Sequence, residues 1–183
     1  MSDTPAELEI PLSKTKLVLA LLGSLAFVAL SIWIGSIADT QTRYNPLYMK
    51  GVAIVGVAFA GLCGIYICFK VFDTRPGLII DKEGIVDNSS AVAFGRIPWE
   101  DIVGLKVGEV AGQKFVTIEV NEPQKYIEQG SSWKRMMNAA NMKMTGSPIN
   151  ISSNALRLKF DDLLTVLTDA LETYNKAKNR PHA

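Results

Sequence analysis

Two long uncharged apolar runs dominate the first part of the chain, at residues 17–38 and 51–69. As helices rising about 1.5 Å per residue they reach roughly 33 and 28 Å, against a hydrocarbon core of about 30 Å. A small soluble domain has no interior able to bury two helices that are apolar all round. The pattern therefore predicts a transmembrane hairpin, with a polar tail at residues 1–16 and a short external loop at residues 39–50.

Small residues recur on one face of each apolar run. They are Ala20, Ser24, Ser31 and Gly35 in the first run and Gly56, Ala60 and Gly64 in the second. Small side chains let transmembrane helices approach closely, so these positions predict a helix-pairing surface. That surface fits either the other helix of the hairpin or a second copy of the chain. Because neither run contains Asp, Glu, Lys, Arg or His, the sequence predicts that the hairpin is an anchor rather than an ion or proton pathway.

Basic residues near the ends of the runs indicate the orientation of the hairpin. Four flank the ends nearer the chain termini and two lie in the loop: Lys14, Lys16, Lys70 and Arg75, against Arg43 and Lys50. Basic residues accumulate on the cytoplasmic side of membrane proteins. The distribution therefore predicts a multi-pass protein with both termini in the cytoplasm.

From Gly77 onward the apolar runs are short and separated by turn residues. Gly, Asn, Ser and Pro divide this region into seven predicted strands, with a break near Gly104 in the fourth. The strands are placed at residues 77–81, 84–88, 91–96, 99–110, 114–121, 149–152 and 155–159. The pattern predicts a mainly β domain, built as a partly open barrel, over residues 77–176, and then a tail at residues 177–183.

An amphipathic helix is predicted at residues 131–144, with Ser131 or Ser132 as its N-cap. Its apolar face contains Trp133, Met137, Ala140 and Met144, and its basic residues are Lys134, Arg135 and Lys143. In one interpretation the apolar face covers the open end of the barrel. In the other, the helix lies on anionic lipid or receives a partner helix. The first is preferred because three basic residues attract anionic lipid only modestly.

The chain ends in a second predicted amphipathic helix. Asp161 is its expected N-cap, and Asp162 suits the positive end of the helix dipole. One apolar face is formed by Leu163, Leu164, Leu167, Ala170, Leu171 and Tyr174. This face is predicted to close the sheet, whereas His182 is expected to lie solvated in the tail.

Three segments carry a family resemblance: Gly77-Leu-Ile-Ile-Asp-Lys-Glu-Gly-Ile85, Gly95-Arg-Ile-Pro-Trp-Glu-Asp-Ile102, and Pro148-Ile-Asn-Ile151 followed by Leu156 and the last helix. They resemble a family of small bacterial membrane proteins with two N-terminal transmembrane helices and a pleckstrin-homology-like (PH-like) domain. The resemblance implies a PH-like domain closed by a C-terminal amphipathic helix, in a bacterial inner membrane. Its motif residues are read as structural: Gly84, Gly95, Trp99, Asp101 and Ile102.

The remaining residues give little indication of catalysis or of ligand binding. With 19 basic and 18 acidic residues the net charge is +1, which gives no reason to expect a nucleic-acid partner. Cys63 and Cys68 lie five positions apart in an apolar run, so they face different sides of a helix and make a poor disulfide or metal pair. Glu100 and Asp101 are neighbours on a predicted strand and should point to opposite faces. No catalytic, cofactor or metal site is therefore predicted.

The leading hypothesis is a non-enzymatic, membrane-anchored interaction or scaffolding module whose PH-like domain binds a protein partner or a second copy of the chain. The first alternative is sensing of anionic lipid at the membrane surface through residues 131–144. The second is a cryptic hydrolase, which needs a convergent polar pocket that the sequence does not indicate.

Overall fold

The computed structural model describes residues 7–179, which fall into two compact units. One unit contains residues 14–74. Of the described residues, the other unit combines residues 7–13 with residues 75–179. The predictions for residues 1–6 and for His182 lie outside the described residues.

The first unit is a helical hairpin formed by α1 (Lys14–Ser36) and α2 (Pro46–Phe72). Helix α2 begins five residues before the predicted apolar run, because the Asn45 side chain accepts from the Leu47 amide at 2.9 Å and caps a helix that starts with Pro46. The most apolar stretches of the two helices have mean hydropathies of 2.5 and 2.4, and only 11% and 17% of them is buried. Core helices of a soluble protein would be mostly buried, so both helices have the length and surface of membrane spans.

Small residues line the contact between α1 and α2. The Ser24 hydroxyl donates to the Ala60 carbonyl at 2.6 Å, and a Cβ placed on Gly56 would lie 2.5 Å from Ser31 Oγ. Gly35 and Gly64 make similarly close approaches, to Ala53 and Ser24. Of the predicted helix-pairing residues, Ala20 is instead exposed. The small side chains therefore allow close packing within the hairpin itself.

The second unit contains two antiparallel sheets and three helices. The first sheet has the order β1 (Leu8–Ile10), β2 (Leu78–Ile80), β3 (Gly84–Asp87) and β4 (Gly95–Pro98). The second has the order β5 (Ile102–Val110), β6 (Gln113–Val120) and β7 (Ile149–Ile151). The helices are α3 (Pro123–Ile127), α4 (Ser132–Thr145) and α5 (Phe160–Lys178). Among the described residues the sheets do not form one closed barrel.

The seven strands are not the seven that the sequence predicts. Residues 8–10, expected in a polar tail, form β1 and pair with β2, with Leu8 opposite Ile80. The strand predicted at residues 155–159 is absent, because a 3-10 turn at Ser153–Ala155 precedes a single backbone bridge between Leu12 and Leu156. The third predicted strand begins only at Gly95, so most of residues 91–96 is a loop. The break near Gly104 is confirmed as a shift in register between Ile102 and Gly104.

The core of this unit lies between the sheets and α5. Leu163 and Leu167 are buried, and Leu164, Ala170, Leu171 and Tyr174 pack against the same cluster, as predicted. The expected cap is wrong: the helix starts at Phe160 after Lys159, which makes no side-chain cap, and Asp161 and Asp162 both lie in the first turn. They still face the positive end of the helix dipole.

Candidate functional site

Helix α4 packs against the rest of the globular unit with its polar side. Asn138 is 1% exposed, and its Nδ2 donates to the Tyr126 carbonyl at 3.1 Å. Asn141 Nδ2 donates to the Pro148 carbonyl at 3.2 Å, and Lys134 Nζ donates to the Ala93 carbonyl at 2.9 Å. These bonds satisfy one carbonyl group of α3 and two of adjoining loops, so polar residues take the position that a core-facing helix normally gives to apolar ones.

The apolar side of α4 faces outward. Trp133, Met136 and Met144 are 50%, 61% and 63% exposed, while Met137 and Ala140 are half-buried. The predicted helix and its Ser131 cap are confirmed, because Ser131 Oγ accepts from the Lys134 amide. The preferred interpretation, in which this face covers the open end of the barrel, is contradicted by the exposure of Trp133 and Met144. Sequence reasoning also missed Met136, which lies three residues after Trp133 and therefore on the same face.

The charge of α4 has one sign. Residues 132–145 contain Lys134, Arg135 and Lys143 and no acidic residue. The Lys134 ammonium is turned inward to the Ala93 carbonyl, whereas Arg135 and Lys143 are exposed. In contrast, α5 has acidic residues in its first turn and basic residues in its last. We define the exposed apolar surface of α4 as Trp133, Met136 and Met144. The same helix carries two exposed basic side chains, of which Arg135 donates to Ser132 Oγ at 3.3 Å.

A buried hydrogen-bond network holds the segment that leads into α4. Asp101 Oδ2 accepts from the Tyr126 hydroxyl at 2.6 Å and from Lys125 Nζ at 2.7 Å. The Lys125 ammonium and the Tyr126 hydroxyl lower the pKa of Asp101. Burial, together with the bond to Asp101, raises the pKa of the Tyr126 hydroxyl. The Tyr126 ring also meets Phe94 edge-on, with centroids 5.8 Å apart. Asp101 therefore connects the start of β5 to α3.

We expect Asp101→Asn to make the globular unit less stable and less sensitive to acid. Because the pKa of Asp101 is lower in the folded protein than its unfolded value of about 3.9, its contribution is complete above pH ~4 and is lost as pH falls through the folded pKa. Above pH ~5 the substitution should cost about 1.5–3 kcal/mol, typical of hydrogen bonds to a charged group. Denaturant unfolding at a series of pH values measures both effects.

The matched control is Glu109→Gln, which removes one negative charge at an exposed position of β5. It should leave both the free energy of unfolding and its slope below pH 4 close to those of the parent chain. An Asp101→Asn variant with the parent's stability and acid slope would contradict a stabilising role for this network.

Several residues of the segments that carry the resemblance make close contacts around Asp81. Its carboxylate accepts two bonds from Arg96, at 2.9 and 2.8 Å, which lowers the pKa of Asp81. Its carbonyl accepts from Trp99 Nε1 at 2.8 Å. A Cβ on Gly84 would lie 2.1 Å from the Ile97 carbonyl oxygen, so only glycine allows β3 to approach β4 here.

The other motif residues occupy positions with equally local contacts. Gly95 has a φ of +72°, which favours glycine, and Ile102 is buried at the start of β5. Residues 99–101 form a 3-10 turn rather than the predicted strand. Glu100 is exposed and Asp101 is buried in its network, so these two carboxylates do not converge on one site.

A cavity of about 160 Å³ lies beside the N-terminal half of α4. Its wall is formed by the loop before β4, the turn before α4, and α4 itself: Val92, Ala93, Phe94, Gln129, Gly130, Lys134 and Asn138. Asn138 uses its Nδ2 on the Tyr126 carbonyl, but its Oδ1 accepts from no donor among the described residues. Asn138 Oδ1 is therefore a buried acceptor that no described residue satisfies, and it has almost no accessible surface toward the cavity.

Within residues 7–179 no group of three or more His, Cys, Asp or Glu side chains lies close enough to hold a metal ion. Comparisons with protein-family models, with curated proteins and with solved structures find no match for the chain. The resemblance to the two-helix PH-like membrane proteins accordingly stays a prediction.

Proposed function

We propose that this is a non-enzymatic protein of a bacterial inner membrane whose globular unit binds the anionic surface of the bilayer through α4. The observation that carries the proposal is the outward-facing apolar surface of a helix that has basic and no acidic residues. Helices that lie in the interface of a membrane have this composition, with Trp on the apolar side and Lys or Arg beside it.

The exposed apolar surface of α4 is better suited to contact with a bilayer than to burial in an apolar core. Trp133 has an amphipathic ring suited to the level of the lipid headgroups, and the unbranched side chains of Met136 and Met144 adapt to irregular surroundings. Each Lys or Arg close to an anionic surface contributes about 1 kcal/mol of attraction. Arg135 and Lys143 are exposed on the same helix and can provide this attraction.

Short connections to the hairpin compensate for the small number of charges. Ser13, whose amide donates to the Ala155 carbonyl at 2.8 Å, is followed directly by the first residue of α1. Only residues 73–77 connect α2 to β2, and five residues span at most about 18 Å. If the hairpin is in the membrane, it tethers α4 close to the lipid. The effective concentration of lipid around α4 is then high. Weak contacts then suffice.

The pairing of β1 with β2 supports both termini on one side of the membrane. The two strands lie before α1 and after α2, so they can meet only if the chain crosses an even number of times. Together with the excess of basic residues at these ends, this favours the cytoplasm for the globular unit. Seven strands and a C-terminal amphipathic helix are the elements that the PH-like resemblance implies, although β1 precedes the hairpin, and on that ground we propose a PH-like fold.

Spin-label accessibility in the full chain tests the binding of α4 to lipid. A label at Met136→Cys, with Cys63 and Cys68 replaced by Ala, is measured in nanodiscs of increasing anionic lipid content. Engagement should make the label more accessible to oxygen and less accessible to a water-soluble nickel complex. Added salt should reverse the change, since it screens the attraction between exposed charges.

The charge dependence has a matched control. Arg135→Glu with Lys143→Glu should abolish the response. Lys82→Glu with Lys178→Glu makes the same change in net charge at exposed positions outside α4 and should preserve it. A label at Val103→Cys on β5 should remain in water throughout. If the label at position 136 stays water-accessible at every anionic lipid content, the proposal is wrong.

Binding of a second copy of the chain is a second candidate, and β5 is the feature that favours it. This nine-residue strand is an edge of its sheet, with Val103 and Val107 exposed. Exposed apolar edge strands are sites of strand addition. Loss of accessibility of the Val103→Cys label when discs hold two copies rather than one would support self-association. An unchanged label would contradict it.

A further inference from the structure

One edge of strand β5 is open. Within residues 7–179, β6 is the only strand that pairs with β5, and Val107 in the middle of β5 is 53% exposed. An edge of this kind presents backbone N–H and C=O groups that can pair with a further strand. Which of these groups point away from β6 follows from the turn that joins the two strands.

The turn between β5 and β6 fixes the alternation of hydrogen bonds along β5. Val110 pairs with Gln113, so only Ala111 and Gly112 lie between the strands. Both have a positive φ, 51° and 77°, as a type I′ turn requires. The residues that flank such a turn exchange both backbone hydrogen bonds, and every second residue beyond them does the same. The even-numbered residues of β5 therefore bond to β6, and the odd-numbered ones point away from it.

Three residues of β5 then have backbone groups that point outward: Leu105, Val107 and Glu109. The alternation stops before residue 103, because the register with β6 shifts between Ile102 and Gly104. Each of the three residues offers one N–H and one C=O group. An added strand in the right register can therefore form up to six backbone hydrogen bonds with this edge.

The edge is complementary to itself in one register. When two copies of β5 lie antiparallel about a two-fold axis at Val107, Leu105 is opposite Glu109 of the second copy, and every outward backbone group is paired. Moving the axis by one residue pushes one end of the pairing into the register shift or into the turn. An axis at Lys106 would also place two ammonium groups opposite each other, which is destabilising.

We propose that two copies of this chain join their β5 edges antiparallel about Val107, so that two three-stranded sheets become one continuous sheet. This inference rests on the second candidate function, self-association through β5, and adds its register. It does not depend on lipid binding by α4. Val103 then lies beside Ala111 of the second copy, at the end of the paired segment. Because one strand pair is a small interface, confinement of both copies to one membrane strengthens it by raising their effective concentration.

Energy transfer between full chains in liposomes measures this association. Copies carrying a donor or an acceptor at Lys178→Cys, with Cys63 and Cys68 replaced by Ala, are reconstituted at increasing ratios of protein to lipid. Val107→Lys places two ammonium groups opposite each other on the axis, so half-maximal transfer should need at least about tenfold more protein. Val110→Lys adds the same charge at another exposed valine of β5, away from the axis, and should stay within about twofold of the parent chain.

Cross-linking with a short bifunctional thiol reagent tests the register in chains without the native cysteines. Val107→Cys should cross-link to its own copy, because the Cα atoms of a hydrogen-bonded antiparallel pair are about 5.5 Å apart. Val110→Cys should not, since the two positions lie six residues apart along the strands, about 20 Å. A mixture of Leu105→Cys and Glu109→Cys copies should cross-link, whereas either variant alone should give no product.

The register and the association fail in different ways. Cross-linking at position 110 and not at position 107, in a chain that shows energy transfer, would overturn the register and leave self-association standing. Equal loss of transfer in folded Val107→Lys and Val110→Lys variants would do the same, with hydrogen exchange of the β6 amides as the check on folding. Absence of transfer at every ratio of protein to lipid would overturn both and leave lipid binding by α4 untouched.

Discussion

A soluble chain that starts at Gly77 is expected to lose most of the stability of the globular unit. Such a chain lacks β1 and the residues after it, and therefore loses the buried side chains of Ile10 and Leu12. It also loses backbone hydrogen bonds from Gly77 to Ile10 and from Arg157 to Pro11, both 2.9 Å long. Full burial of an aliphatic side chain contributes about 1.5–3 kcal/mol, so the two together approach the low end of the roughly 5–15 kcal/mol that stabilises a whole domain.

The comparison chain keeps residues 7–13 and replaces residues 14–74 with a flexible Gly-Ser linker. We expect it to unfold cooperatively in urea, while the chain from Gly77 unfolds at a much lower concentration or lacks a transition. Ile10→Ala with Leu12→Ala in the linked chain should reproduce most of the loss, which separates side-chain burial from the effect of the linker. Equal urea midpoints for the linked and shortened chains would show that β1 is dispensable.

Substitution of the two tryptophans of the globular unit should have very different effects on its stability. Trp99 is buried, donates to the Asp81 carbonyl and stacks on Tyr174 with ring centroids 6.0 Å apart. Trp99→Ala should therefore cost about 3–5 kcal/mol, the range for loss of a buried aromatic side chain. Trp133 is half exposed on α4, so Trp133→Ala should change the stability by less than about 0.5 kcal/mol.

Hydrogen exchange of the full chain in nanodiscs measures these effects. Trp99→Ala should speed exchange of the β6 amides by more than about 100-fold. Trp133→Ala should leave β6 protected and instead weaken the engagement of the Met136→Cys label with anionic lipid. If Trp133→Ala exposed the sheet, or if Trp99→Ala left its protection unchanged, the assignment of one tryptophan to the core and the other to the surface would be wrong.

Elements with a strong local pattern were predicted well. The hairpin follows from two uncharged apolar runs, and α5 buries Leu163 and Leu167 as its spacing requires. Strand β1 was missed because three residues carry too short an alternation to identify a strand. Its partner lies about seventy positions later in the chain, and no local pattern connects two such distant segments.

The orientation of α4 was predicted wrongly for a different reason. The spacing of Trp133 and Met144 identifies an apolar face, and the usual inference is that this face is buried. The structure reverses that inference, because Asn138 and Lys134 find backbone carbonyls at Tyr126 and Ala93. Those carbonyls belong to α3 and to the loop before β4, whose positions depend on the tertiary fold. A helical pattern can therefore identify the two faces of α4 without indicating which one the protein covers.

The division of one sheet between the two ends of the hairpin also bears on how the protein is made. Strand β1 leaves the ribosome first, but its partner β2 follows only after both apolar helices have been synthesised. If one helix failed to insert, β1 and β2 would be on opposite sides of the membrane and the sheet would lack its first strand. Completion of the globular unit would then report correct insertion, and misinserted chains would present an incomplete core to quality-control proteases.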